Sequence, residues 1–239
     1  MCGRYVLAAG LAEIAAFFNG EIAHDGLWTW EPNWNMAPAV IAPVLALNGL
    51  GNRTIVPMRW GLHPHWRKEM PEGRPLFNAR VETAFEKASF RTPWKRRRAL
   101  IPMNGWYEWE GVTSPKTPNY IHPDHTHSDH AHSDHAHSDK TELSAFAGLW
   151  DQWRVDEGIT LLSFTILTTH AIGPIKHLHH RMPVRLPPDL WQNWLDPDIK
   201  PEHTIAHMLG SDDLTYHEVS RAVSSGRAQG ANLILKTVD

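Results

Sequence analysis

Apolar residues recur at helical spacing in a few short windows of the chain and at strand spacing in many. Leu11, Ile14, Ala15 and Phe18 share one face of a 3.6-residue period and stop before Asn19-Gly20, which predicts a short amphipathic helix. Residues 40–47 and 53–62 are apolar and separated by Asn48-Gly49-Leu50-Gly51-Asn52, so they read as a hairpin, with Pro43 and Pro57 marking edges or bulges. Val81, Ala84, Phe85 and Ala88 return to helical spacing. Residues 99–103 and 106–110 read as a second pair of strands, joined across Asn104-Gly105. Alternation in the later strand puts Trp106 and Glu108 on one face and Tyr107 and Trp109 on the other. Residues 144–150 follow as a strand, then 159–169, the longest apolar and β-branched run and the expected central strand. Helical segments at 189–195 and 201–209, the second stopped by Gly210, precede two closing strands at 214–219 and 231–235. Hairpins and short helices without regular strand–helix alternation predict an α+β fold with largely antiparallel sheets.

A chain of 239 residues, 42% apolar and 21% charged, can bury a core as one domain spanning 1–239. Within it, residues 123–140 form a low-complexity insertion in which His-Ser-Asp-His-Ala repeats every five residues. Its histidines, His125, His127, His130, His132, His135 and His137, alternate with aspartates and could hold zinc, nickel or copper, although the spacing defines no closed site. The bland alternative is a polar loop with no apolar anchor. The net charge of -3 gives no global sign of nucleic-acid binding, but Arg91, Lys95, Arg96, Arg97 and Arg98 make a local basic run. One cysteine excludes an internal disulfide framework. With neither a signal peptide nor a long apolar run, the chain reads as soluble and cytoplasmic, with no membrane role.

That cysteine is Cys2. Loss of Met1 would give it a free α-amine beside its thiol. The amine has an ordinary pKa of about 7.7 to 8.0, so a useful fraction is neutral at pH 7, and the thiol is intrinsically nucleophilic. The pair suits an aldehyde: the amine forms an imine and the thiol closes a five-membered thiazolidine. A small buried hydrophobe is the alternative for any lone cysteine.

The strings MCGRY at the start, NMAP at 35–38, RWGLHPHW at 59–66, FNARVET at 77–83, GWYEW at 105–109, HHRMPV at 179–184 and VSRAV at 219–223 resemble, in order, the SOS response-associated peptidase family. Its members join an N-terminal cysteine to abasic sites in DNA. The His-rich insertion is the main departure from the family pattern. The resemblance implies a covalent thiazolidine between Cys2 and the C1′ aldehyde of an abasic site in single-stranded DNA, shielding the lesion. It implies no cofactor and no obligate protein partner, and association with the nucleoid when bound to damaged DNA. By position Asn78 would orient the pocket, and Glu108 and His179 would move protons. A glutamate beside Trp106 would be pushed toward neutral pH by desolvation. Arg4, Arg80 and Arg181 would meet phosphates, Trp60 and Trp66 would stack on bases, and Asn35, Pro38 and Thr168 would complete the DNA surface. Each has a structural alternative: a turn cap for Asn78, an ion pair for Glu108 or an arginine, a loop cap for His179, core packing for a tryptophan. Two other functions fit parts of the pattern: an N-terminal-nucleophile amidase or peptidase using the Cys2 thiol with its amine as base, and a metal-binding protein built on the insertion.

Overall fold

The computed structural model describes residues 2–23, 28–69, 73, 75–124, 142–154, 158, 160–206 and 214–237. Its strands in chain order are β1 (Tyr5–Leu7), β2 (Glu21–Ile22), β3 (Asn33–Met36), β4 (Ile41–Leu47), β5 (Arg53–Trp60), β6 (Asn78–Arg80) and β7 (Arg98–Met103). There follow β8 (Gly105–Glu110), β9 (Thr117–Pro123), β10 (Ser144–Arg154), β11 (Thr160–His170), β12 (Arg181–Pro183), β13 (Arg185–Leu186) and β14 (Leu214–Glu218). Helices are short: α1 (Leu11–Phe18), α2 (Val81–Ala84), α3 (Arg91–Arg96), α4 (Trp191–Leu195) and α5 (Pro201–Ala206). The architecture is α+β with mostly antiparallel pairing, as the sequence pattern predicts. Among the described residues no helix is long and apolar enough to cross a membrane.

The larger sheet runs β12-β11-β10-β7-β4-β5-β2, with β13 on β10 and β6 on β11. The long apolar strand β11 is where it closes. Besides its antiparallel partner β10, it pairs in parallel with β5 at Ser163↔Arg59 and Phe164↔Trp60, so β5-β4-β7-β10-β11 form a closed ring. The β4–β5 hairpin forms as expected: Gly51 takes a positive φ of 82°, and Asn48 Oδ1 accepts from the amides of Leu50 and Asn52. Pro43 and Pro57 face each other in this hairpin. They lie where β4 and β5 lack a further ladder partner, the β7 contact being at Leu45 and those of β5 at residues 54–55 and 59–60.

The second sheet runs β14-β9-β8-β1-β3. Its inner face joins the main core, with Tyr5 and Trp106 against Phe146 of β10. Its outer face holds a smaller cluster of Val6, Tyr107, Tyr120, Val219, Val223 and Leu233, covered by the C-terminal segment. Trp106 and Tyr107 thus point to opposite faces, as alternation requires.

Three expectations fail. Residues 99–103 and 106–110 do not form a hairpin: β7 pairs with β4 and β10, whereas β8 pairs with β1 and β9 in the other sheet. Asn104 and Gly105 have no positive φ. Asn104 instead accepts from Ala8 N through Oδ1 at 2.7 Å, and a Cβ on Gly105 would sit 2.5 Å from the Ile121 carbonyl, so the pair marks a tight crossing between sheets. Residues 231–235 carry a 3-10 turn over Ala231–Ile234 in place of a strand, with one isolated bridge between Val219 and Lys236. The basic run contains α3 and is only partly a surface patch. Arg98 is buried and donates to the carbonyls of Trp94, Lys95, Trp194, Asp196 and Ile199, capping α3 and joining it to α4. The six histidines of the insertion, and residues 207–209 of the expected second helix with its stop at Gly210, lie outside the described residues.

Candidate active site

Cys2 lies three residues before the first residue of β1, which is inserted between β3 and β8 by the pairs Tyr5↔Met36 and Tyr5↔Trp106 and by Tyr107 N donating to Arg4 O at 3.0 Å. The sequence favours this insertion because Tyr5, Val6 and Leu7 are all apolar and all fully buried, one face in each core. The chain start is therefore held on both sides. Cys2 is fully buried, and its thiol points to Arg4 O at 3.8 Å.

Asn78 reaches Cys2 from β6, a strand docked in parallel on β11 through Ile166↔Asn78. Its Nδ2 donates to the Cys2 carbonyl at 2.7 Å, while its buried Oδ1 has no hydrogen-bond partner among the described residues. This contact fixes the main chain of Cys2 and leaves one buried acceptor on the same side chain.

Glu108 lies two residues beyond the Tyr5↔Trp106 pair, a register that brings it beside the first residues of the chain. It shares the inward face with Trp106 and is 5% exposed. Burial lifts its carboxyl to about 7, so it is near half-protonated at neutral pH. Burial, and then the Glu108 charge, push the Cys2 thiol well above its usual range. A thiol so held stays protonated until a base takes its proton.

His179 follows the 3-10 turn Gly173–His177 and stacks on His180 at 4.3 Å. Of His177, His179 and His180 it alone is partly buried, and burial lowers its pKa. Its Nδ1 lies 2.9 Å from Arg181 N and 3.0 Å from Arg181 O. The ring can accept from the amide when neutral and donate to the carbonyl when protonated, so its anchor survives a change of charge. Lys116, at the start of the turn into β9, acts electrostatically on both Glu108 and His179. Sequence reasoning missed Lys116, which sits in a polar loop with nothing local to distinguish it.

The expected DNA contacts divide by exposure. Trp66 is 51% exposed, Arg80 is exposed, and Pro38 lies half-buried in the turn after β3. Four other positions are buried. Trp60 is fully buried, donates Nε1 to Phe77 O at 2.8 Å, and stacks with Phe164, so it is core and offers no face to a base. Thr168 is fully buried. Arg181 is 3% exposed and makes a bidentate pair with Glu82 at 2.8 and 2.9 Å, so its guanidinium is engaged inside the protein, where it positions the His179 loop. Asn35 is 2% exposed and binds the carbonyls of Val223, Ser225 and Ala228. Arg4 is half-buried and donates to Asn35 Oδ1 at 2.7 Å and Val223 O at 3.2 Å. These two residues fasten the C-terminal segment.

Among the described residues no cluster of three potential ligands is placed to hold a metal ion. The geometry unites a cysteine at the chain start, an amide on its carbonyl, a carboxyl titrating near neutrality and an anchored imidazole, which suits proton transfers around an attack by Cys2.

Comparison with known proteins agrees with the order of motifs. The family described as SOS response associated peptidase (SRAP) matches residues 1–226. The abasic site processing protein YoqW of Bacillus subtilis (strain 168) is 32% identical over 98% of this chain and 99% of its own. The abasic site processing protein HMCES of Mus musculus is 30% identical, covering 82% of this chain and 62% of its own length. A crystal structure of a protein from Bacteroides thetaiotaomicron shares the fold with a TM-score of 0.79 at 20% identity, covering 99% of this chain and all of that one. The chain belongs to the SOS response-associated peptidase family.

Proposed function

We propose that this protein binds single-stranded DNA at abasic sites and, once Met1 is removed, forms a covalent thiazolidine through Cys2. The observation that carries the reading is the buried Glu108 carboxyl, lifted to about 7 beside a Cys2 whose carbonyl is held by Asn78 at 2.7 Å. The names of the relatives, abasic site processing proteins, support the substrate class.

The steps balance with one carboxyl. The neutral α-amine of Cys2 adds to the C1′ aldehyde, giving a carbinolamine. Protonated Glu108 gives its proton to the departing hydroxyl, water leaves, and a protonated imine remains, its nitrogen keeping the hydrogen it held in the carbinolamine. The resulting carboxylate takes the proton of the Cys2 thiol. The thiolate attacks the carbon of the protonated imine, the C=N electron pair passes to nitrogen, and the ring closes as a neutral thiazolidine with Glu108 protonated again. Glu108 serves as acid and then as base, which a group titrating near 7 can do without a second residue. His179 orients the sugar and assists opening of its ring to the aldehyde.

The test is incubation of the protein with single-stranded oligonucleotides, preceded by mass spectrometry of its N-terminus. A gel-stable adduct with an abasic oligonucleotide and none with intact DNA is expected. Cys2→Ala abolishes it, whereas Cys2→Ser, which keeps the amine, gives only a reversible imine trapped by borohydride. Absence of any adduct from a chain beginning at Cys2 would exclude the reading.

A further inference from the structure

Asp151 is a buried carboxylate that the chemistry at Cys2 does not use. Its side chain is 1% exposed and sits in β10 opposite Ser163 of β11. A buried charge is costly unless it is paired and hydrogen-bonded. Here Oδ1 accepts from Arg97 Nη1 and from Gln152 N at 2.9 Å, and Oδ2 from His65 N at 2.9 Å, with His65 Nδ1 at 2.8 Å.

These bonds converge on the turn after β5. His63 N donates to Ser163 Oγ at 2.8 Å, His65 to Asp151, and Trp153 Nε1 to Arg67 O at 2.5 Å. Residues 151 and 153 share one face of β10, and Ser163 lies opposite Asp151, so this face of the ladder is a polar socket for residues 63–67. His63 is buried in the socket against Trp153, with ring centroids 4.6 Å apart. Trp66 stands on the crest with the Arg67 guanidinium 6.0 Å from its ring. Of the twelve tryptophans it alone is exposed. The turn also bridges to the arm carrying Asn78, through Leu62↔Leu76.

We infer that Asp151 is a positioning residue for DNA binding, holding the 63–67 turn so that the Trp66 indole is pre-set to stack on a nucleobase of the single strand; this rests on the DNA-binding reading above. A pre-set aromatic loses less freedom on stacking, and stacking accepts any base, as a lesion binder requires.

A double-mutant cycle on binding tests it, using a fluorescent single-stranded oligonucleotide without an abasic site, at fixed salt, with folding checked by thermal melting. Trp66→Ala and Asp151→Asn should each weaken binding about tenfold, and the double variant no further than Trp66→Ala, because Asp151 acts through Trp66. His65→Ala, which spares the Arg97 pair and the fold, should cost about threefold and be likewise absorbed by Trp66→Ala. Multiplying losses, wild-type affinity in folded Asp151→Asn and His65→Ala, or wild-type affinity in Trp66→Ala would each overturn the inference. The crosslinking reading is judged separately, by whether the wild type forms its adduct.

Discussion

At the scale of single residues, Glu108 sets a trade between stability and chemistry. Its carboxyl titrates at about 7 in the folded protein because burial disfavours the charge, against an ordinary value of 4.5. Between those values the folded state holds a proton that the unfolded state has lost, so stability falls as pH rises from 4.5 to 7 and the loss is complete above. The two and a half units correspond to about 3 kcal/mol. Glu108→Gln should therefore raise Tm at pH 8 and leave it nearly unchanged at pH 4, which melting at both values will show. In the proposed reaction the same substitution removes the proton donor for dehydration and the acceptor for the thiol proton. Adduct formation should slow by about 10² to 10⁴. In the wild type the rate should rise with pH as the amine is deprotonated, at about 7.7 to 8.0, and be cut off by ionisation of Glu108. The variant should keep only the rising limb. A falling limb in Glu108→Gln would assign that ionisation elsewhere.

Elements were legible from the sequence where local chemistry and tertiary pairing agree. The α1 stripe and the Asn48–Asn52 turn each state their own structure, because the residues that need a face or a positive φ are adjacent in the chain. Asn104-Gly105 shows the limit. The dipeptide that usually makes a two-residue hairpin here passes between sheets, and what requires glycine is the Ile121 carbonyl and Tyr120 ring of a strand sixteen residues away. No local pattern carries that information. Gly105→Ala should push its Cβ into backbone that β8–β9 pairing holds in place, at a cost of about 3 kcal/mol. Because Glu108 lies three residues along the same strand, the crosslinking rate should fall even in the folded fraction. Denaturant melts and single-turnover rates on one preparation will separate the two effects.

Across the whole molecule, motif order named residues that lie near Cys2, yet it did not separate those that touch solvent from those buried in the protein. Exposure does, because a side chain's access depends on which distant segments cover it. Trp60 and Trp66 stand in one motif, one fully buried and the other half exposed. Asn35 is the sharpest case. Its Nδ2 meets the carbonyls of Val223, Ser225 and Ala228 at 3.2, 2.9 and 3.1 Å, and its Oδ1 takes a bond from Arg4. It thereby closes the C-terminal segment over the cluster of Tyr107, Tyr120 and Val223, on the reverse of the sheet that carries Glu108. Asn35→Ala leaves those buried carbonyls and the Arg4 guanidinium short of partners, at a cost of about 2 to 3 kcal/mol. For a chain of this size that lowers Tm by about 5 to 10 °C. The C-terminal segment should become the first site of proteolysis at temperatures where the sheets persist. Affinity for single-stranded DNA, measured well below the transition, should be unchanged. A residue that contacts DNA directly would show the reverse, weakened binding at constant Tm, and that outcome would return Asn35 to the nucleic-acid surface.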